Sequence, residues 1–148
     1  MRIRFLLPAA LLVCVAACSG EASQDWGEEL TAPIPQGTAT LYRSAAVDLD
    51  TANKVLAAMT DGNYNFAAGL PEQIDMVDGR LTLRLGNDNQ DTIAEIKAEG
   101  DAHAAVSYFH GLANHVSRAL DGAEIDIILC EETLDTPFHT VKWTPQQN

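Results

Sequence analysis

The alternation of hydrophobic and polar positions has two different periods along the chain. Residues 38–43 are rich in β-branched and aromatic side chains, which predicts a strand. The next apolar residues share the three- and four-residue spacing of a helix: Ala52, Val55, Leu56 and Met59. They predict an amphipathic helix that begins at Asp50 or Thr51 and ends at Asp61-Gly62.

A β-hairpin is predicted next, with strands at residues 73–77 and 80–85. Between them lies Asp78-Gly79, a dipeptide that supplies the positive backbone angles of a tight turn. In the second strand the leucines occupy every other position, at Leu81, Leu83 and Leu85. Thr82 and Arg84 lie between them, so this strand is expected to pack one face on a core and to leave the other face in water.

A second helical region is predicted to begin at Asp91 or Thr92. Thr92 and Glu95 have the spacing of a capping box, in which each side chain accepts from the backbone N–H of the other residue. Gly100 is expected to end this region before a longer helix, because glycine weakens a helix interior.

The longer helix is predicted over residues 101–120. Its apolar side chains cluster on one side at 100° per residue: Ala105, Tyr108, Phe109, Leu112, Val116 and Ala119. Two strands follow, at residues 125–130 and 136–143, and Pro137 lies near the start of the second, where a missing N–H costs little.

The predicted order is strand, helix, hairpin, helix, strand, strand. This order indicates an α+β fold, a two-layer sandwich in which a mostly antiparallel sheet of about five strands carries two main helices on one face. Residues 38–148 are expected to form this single small domain, because the mature chain is too short for two cores.

The first eighteen residues have a different pattern from the rest. Arg2 and Arg4 precede the apolar run 5–13, and the small residues at 15–17 lead into Cys18. This pattern resembles the bacterial lipoprotein signal peptide, which is cleaved before a cysteine that is acylated. The run is shorter than the roughly 20 residues that a membrane-spanning helix needs.

The resemblance implies a signal peptide at residues 1–17 and a lipid attached to Cys18. Residues 18–37 are then expected to form a flexible tether, since they are polar and are interrupted by Pro33-Ile34-Pro35. Trp26 could rest on the membrane interface or dock on the domain. Ser19 after the cysteine slightly favours the outer membrane over the inner, with the domain facing the periplasm.

The mature chain is strongly acidic. Arg2 and Arg4 belong to the signal, so seven of the nine basic residues remain against twenty-one acidic ones, a net charge of −14. Such a surface repels nucleic acid and anionic lipid headgroups, so membrane attachment is expected through the acyl chains alone. A well-solvated surface, a basic protein partner or divalent cations would each be consistent with this charge.

Of the three cysteines, Cys14 leaves with the signal and Cys18 carries lipid. Cys130 therefore has no partner within the chain for a disulfide, and its apolar strand indicates a buried structural thiol. A nucleophilic thiol would need a base such as His139 and a positive environment, whereas Glu131 is a close neighbour.

The histidines do not have metal-ligand spacing, and no metal site is expected. His103 and His110 are seven residues apart, which separates them by about 10.5 Å along a helix axis. A polar stripe on that helix could instead be a contact patch: His103, Ser107, His110 and Asn114. Neutral imidazole and amide groups cost less to desolvate than carboxylates.

The polar loop 86–91 partly matches a calcium-binding loop. Asn87, Asn89 and Asp91 occupy its alternating ligand positions, but the required glycine and the terminal glutamate are missing. A polar turn that leads into a helix cap explains the same residues. Phosphate loops, Cys-x-x-Cys pairs, Gly-x-Ser-x-Gly and His-Glu-x-x-His do not occur in the sequence, and no cofactor is expected.

These observations favour a lipid-anchored, non-enzymatic module that binds or assembles with another protein of the cell envelope. Three alternatives remain open: a small envelope enzyme, a ligand or metal carrier, and an inhibitor or immunity-type lipoprotein. The sequence does not identify the partner.

Overall fold

The computed structural model describes residues 25–62, 64 and 70–145. In this part of the chain six strands form one mixed sheet and three α-helices pack against it, which is an α+β fold. The elements in chain order are β1 Glu28–Ile34, β2 Gly37–Arg43, α1 Leu49–Asp61, β3 Glu72–Val77, β4 Arg80–Gly86, α2 Gln90–Glu99, a 3-10 turn Gly100–Ala102, α3 Ala104–Ala119, β5 Ile125–Cys130 and β6 Pro137–Trp143.

The strands lie in the sheet in the same order as in the sequence. Strands β1 and β2, β3 and β4, and β5 and β6 form antiparallel pairs. Strand β2 is parallel to β3, and β4 is parallel to β5. The expected mostly antiparallel sheet of about five strands is therefore corrected to a mixed sheet of six, because each helical segment connects two parallel neighbours.

Both helical connections advance in the same direction across the sheet. Connections between parallel strands of one sheet are almost always right-handed, and two such connections that advance in the same direction place their helices on the same face. One hydrophobic core accordingly combines side chains from the helices and from alternate strand positions, including Val55, Ile96, Val116, Leu83 and Ile127. The expectation of helices on one face agrees with this core, although three helices contribute rather than two.

The starts of two helices differ from the prediction, although their ends agree with it. Helix α1 is capped by Asp48, whose Oδ1 accepts a hydrogen bond of 2.9 Å from the Thr51 backbone N–H. Helix α2 is capped by Asn89, which accepts from the Thr92 N–H at 3.0 Å. The predicted capping pair of Thr92 and Glu95 is wrong, since the preceding loop already provides a cap.

The buried side of helix α3 overlaps the predicted one only in part: Leu112 and Val116 are buried as predicted, and Ala105 and Phe109 are partly buried against the core. Its buried positions are Val106, Leu112, Ala113, Val116 and Ser117. Tyr108 is 46% exposed and Ala119 is exposed. Small residues permit close packing against the sheet and α1, so the larger Tyr108 lies at the border of the buried side.

Part of the predicted tether is a strand. Strand β1 pairs along its whole length with β2, and its half-buried residues are Leu30, Ala32 and Ile34. Pro33 is tolerated because β1 is an edge strand, where alternate backbone N–H groups need no partner. The tether prediction is thus wrong for Glu28–Ile34. The signal peptide and Cys18 lie outside the described residues, as does the tether up to residue 24.

Trp26 docks on the domain. Its ring lies edge-on to Tyr42, with 5.3 Å between the ring centroids. Its backbone carbonyl accepts a 2.7 Å hydrogen bond from Gln73 Nε2. These contacts connect Trp26, which lies two residues before β1, to the two inner strands β2 and β3.

The face of the sheet opposite the helices is only partly open to water. Thr82 was expected to be exposed but is buried. At the β5 end, Leu134 folds back over this face, and its carbonyl accepts from Arg84 Nη1 at 3.3 Å and from Cys130 Sγ at 3.4 Å. Cys130 is buried there, as predicted.

The described residues include no helix with the length and hydrophobicity that a bilayer span requires.

Candidate functional site

A pocket of about 320 Å³ lies where β4 and β5 end and β3 begins, next to α1 and α3. Its apolar lining comes from both layers of the fold and consists of Met59, Leu70, Leu85, Leu112 and Leu129. Its aromatic lining consists of Tyr64, Tyr108 and Phe109, and its polar lining includes Glu72, Asn87 and Asp88. A mostly apolar cavity with a few polar groups is the usual form of a small-ligand site.

The position of Glu72 follows from the alternation of β3. Glu72 pairs with Leu85 in the antiparallel register, and directly paired residues project on the same face of a sheet. Glu72 also has the same parity as Ile74, which is fully buried in the core. The carboxyl group is therefore directed toward the helices, and only 7% of the residue is exposed.

Nothing in the described part of the chain pairs with the buried carboxyl oxygen of Glu72. Its Oε2 has no hydrogen-bond partner among the described residues. Burial raises the pKa of Glu72 to about 8, because the apolar surroundings disfavour the charged form. At neutral pH the side chain is therefore mainly a carboxylic acid, which can both donate and accept a hydrogen bond.

Three aromatic rings lie side by side at the pocket. The centroids of Tyr64 and Tyr108 are 5.3 Å apart, and those of Tyr108 and Phe109 are 5.4 Å apart, both in edge-on arrangements. Tyr64 is positioned directly after α1, where its backbone N–H donates to the Met59 carbonyl at 3.2 Å. The exposed part of Tyr108 gives the pocket an aromatic surface that water can reach.

The predicted contact patch is not one continuous free surface. His103 caps α3 by accepting from the Ala105 N–H at 3.2 Å, and its Nε2 lies 3.2 Å from Glu95 Oε2. The His110 ring lies 6.4 Å from that of Trp143. Ser107 and Asn114 are exposed. Ser107 and Asn114 could therefore contact a partner while His103 and His110 keep the contacts described above.

The polar loop before α2 uses its oxygens for the backbone. Asn87 Oδ1 accepts from the Asn89 N–H at 2.8 Å, and Asn89 caps the helix. This confirms the interpretation of the loop as a polar turn that leads into a helix cap. Among the residues that the structure describes, no three His, Cys, Asp or Glu side chains are close enough to hold a metal ion.

Cys130 and His139 have separate partners. His139 Nε2 lies 3.0 Å from Asp101 Oδ1, and the Cys130 thiol donates to the Leu134 carbonyl. Burial raises the pKa of the Cys130 thiol, which opposes formation of a thiolate. These contacts give Cys130 a structural environment.

Glu72 was not identified from the sequence, although a signal for it was present. In the run from Glu72 to Met76 the odd positions are polar and Ile74 is apolar, so an inward face that begins with a glutamate can be recognised from alternation. Comparison of the chain with models of protein families, with curated proteins and with solved structures found no match.

Proposed function

We propose that this chain is a lipid-anchored, non-enzymatic binding protein of the bacterial cell envelope, and that its domain binds a small amphipathic molecule in the Glu72 pocket. The observation that carries the proposal is the buried carboxyl group of Glu72, whose Oε2 has no hydrogen-bond partner among the described residues, in a mostly apolar pocket. Burying a polar group without a partner costs free energy, and a ligand with a matching polar group would recover part of that cost.

The form of the pocket supports the same function. The apolar and aromatic lining would hold the body of a ligand, and Glu72 would fix its orientation. Leu85 and Leu129 belong to paired strands, so the floor of the pocket is built on the rigid part of the fold.

Binding is tested with a screen of small neutral and cationic aromatic compounds by ligand-observed NMR. Asp88→Trp places a large side chain at an exposed position that lines the pocket, and Glu132→Trp makes a comparable change at an exposed loop position outside the pocket lining. Compounds that bind the wild type are expected to lose binding to the Asp88 variant only. A screen without a compound that shows this difference would overturn the proposal.

The anchor is a proposal from the sequence and has its own test. Cys18→Ser removes the site of acylation, and the mature domain should then leave the membrane fraction. Retention of the variant in membranes would contradict lipid anchoring without affecting the pocket.

A second candidate is assembly with another envelope protein, favoured by one row of side chains on the helix-free face. Tyr42, Gln73 and Arg84 are neighbours across β2, β3 and β4, and Arg84 Nε is buried without a partner among the described residues. Polar and aromatic groups of this kind are common in protein interfaces.

This second candidate is tested by crosslinking in cells, affinity capture and mass spectrometry, with the Cys18→Ser chain as the control for anchoring. Thr40→Arg adds a bulky charge to the helix-free face, and Asn53→Arg adds one to an exposed position of α1. The captured amount of a partner that binds this face is expected to fall with Thr40→Arg and to stay unchanged with Asn53→Arg. Equal capture by both variants would exclude this face as the interface.

A further inference from the structure

We propose that the ligand of the Glu72 pocket is an organic ammonium cation, a protonated amine carried on an aromatic or aliphatic body. This inference rests on the proposed ligand-binding function and specifies the chemistry of the ligand. It follows from which groups line the pocket and from where the buried carboxyl group lies.

The lining favours positive charge. Glu72 and the exposed Asp88 are its acidic residues, and the described lining contains no lysine, arginine or histidine. The other titratable groups in the described lining are the phenols of Tyr64 and Tyr108, and the His115 ring lies 5.6 Å from that of Tyr64. An anionic ligand would therefore be repelled by Asp88 and would find no base in the described lining, whereas a cation would be attracted by Asp88 and by Glu72 once the ligand has displaced its proton.

The aromatic rings favour a cation over a neutral polar group. The Tyr108 ring contacts both Tyr64 and Phe109 at the pocket, and the face of an aromatic ring attracts an ammonium group. The same rings provide apolar area for the body of the ligand. A buried acidic oxygen beside several rings thus matches both parts of an aromatic amine.

Binding of an ammonium ion changes the protonation of Glu72. In the free protein burial holds the proton on the carboxyl group at neutral pH, because the pKa of Glu72 is raised to about 8. An ammonium N–H would donate to the carboxylate, and the proton displaced from Glu72 would pass to solvent. At pH 7 and below each binding event is therefore expected to release close to one proton, and at pH 8 about half a proton.

The experiment is isothermal titration calorimetry of the mature chain with phenethylamine and with 2-phenylethanol, its neutral counterpart. Titrations in two buffers of different ionisation enthalpy measure the protons released. Between pH 6 and pH 8 the affinity for phenethylamine is expected to rise, by up to about tenfold per pH unit while Glu72 is mainly protonated. The affinity for 2-phenylethanol is expected not to rise.

Two variants assign the effect to Glu72. Glu72→Gln keeps the size of the side chain and removes its charge, so phenethylamine should bind about tenfold or more weakly at pH 8 and release no proton. Glu132→Gln makes the same change at an exposed loop position, and it should leave both the affinity and the proton release unchanged.

The possible outcomes separate this inference from the proposed function. If 2-phenylethanol binds as tightly as phenethylamine and neither releases a proton, the pocket binds ligands but the ammonium assignment is wrong. If neither compound binds, and the NMR screen also finds no pocket-dependent compound, the proposed function fails as well. If binding to the Glu72→Gln variant still released a proton, that proton would come from a group other than Glu72, and the inference would be overturned.

Discussion

Glu72 lies directly opposite Leu85 in the ladder of β3 and β4, so a carboxyl group shares the buried face of the sheet with a leucine. A charged group at this position would be far more costly than a neutral one. The structure therefore couples the protonation of one residue to the stability of the whole domain, and this coupling can be measured.

The stability of the domain is expected to fall as the pH rises from about 4.5 to about 8. The folded chain keeps the Glu72 proton over this range, because the pKa is raised to about 8, whereas the unfolded chain loses it near the ordinary value of 4.5. The free energy of unfolding should lose roughly 3 to 5 kcal/mol from this group and become level above the folded pKa.

The measurement is urea denaturation at several pH values, with the wild type compared to Glu72→Gln. The comparison removes the contribution of the other carboxyl groups, so the stability of the wild type relative to the variant should decrease with pH. Glu132→Gln serves as a matched control and should follow the wild type. A constant difference between wild type and Glu72→Gln would mean that Glu72 is not buried as described.

Arg80→Met is expected to lower the free energy of unfolding by about 1 to 2 kcal/mol. Arg80 Nη2 donates to Asp126 Oδ1 at 2.8 Å and to the Trp143 carbonyl at 3.1 Å, and Nη1 pairs with Glu124. The substitution leaves the Asp126 side chain, which is only 16% exposed, without this cation.

Urea denaturation at low and high salt checks this prediction. Lys54→Met breaks an exposed pair with Asp50 within α1 and should have a smaller effect, because solvent screens that pair. If the Arg80 and Lys54 variants have equal free energies of unfolding, the contacts of Arg80 between strands would add no more stability than an exposed surface ion pair.

Strand β1 is expected to show backbone protection that a tether would lack. Its pairing with β2 extends from Glu28 to Ile34, so the amide hydrogens directed toward β2 should exchange slowly. Trp26→Ala should weaken this protection and lower the stability by about 1 kcal/mol, since it removes the ring contact with Tyr42.

Hydrogen exchange followed by NMR measures both effects. Glu29→Ala, at an exposed position of the same strand, is the control and should leave the protection of β1 unchanged. Rapid exchange throughout residues 28–34 in the wild type would restore the interpretation of this segment as a tether.

The Cys130 thiol is expected to react slowly with a thiol reagent in the native protein and rapidly in urea. Its side chain is buried, and burial raises the pKa of the thiol. In the mature Cys18→Ser chain this is the remaining cysteine, so absorbance with a disulfide reagent reports on it alone. Fast reaction of the native chain would contradict its burial.

Leu134→Ala tests whether the Leu134 side chain keeps a reagent away from the Cys130 thiol. Leu134 is 1% exposed and its carbonyl accepts from Cys130 Sγ. Truncation should cost about 2 to 4 kcal/mol and accelerate the reaction of the thiol in the native state. Leu49→Ala, at an exposed position of α1, is the control that should not change the reaction rate.

The sequence by itself determined the secondary-structure elements that depend on residues close together in the chain. The turn between β3 and β4 needs positive φ at two residues, and Asp78 and Gly79 adopt 51° and 79°. Strand β5 and helix α3 have apolar periods that depend on neighbours only a few residues away, so their positions agree with the prediction. The acidic charge and the lipoprotein-like signal are also properties of the sequence alone.

Only the tertiary structure decided how distant segments meet. The segment that contains Leu30, Ala32 and Ile34 is a strand because its backbone pairs with that of β2. The pocket combines Met59, Glu72 and Leu129, which are far apart in the sequence. Periodicity assigns a side chain to a face but does not specify what covers that face. The burial of the Glu72 carboxyl group in an apolar pocket therefore depends on how the helices pack on the strands.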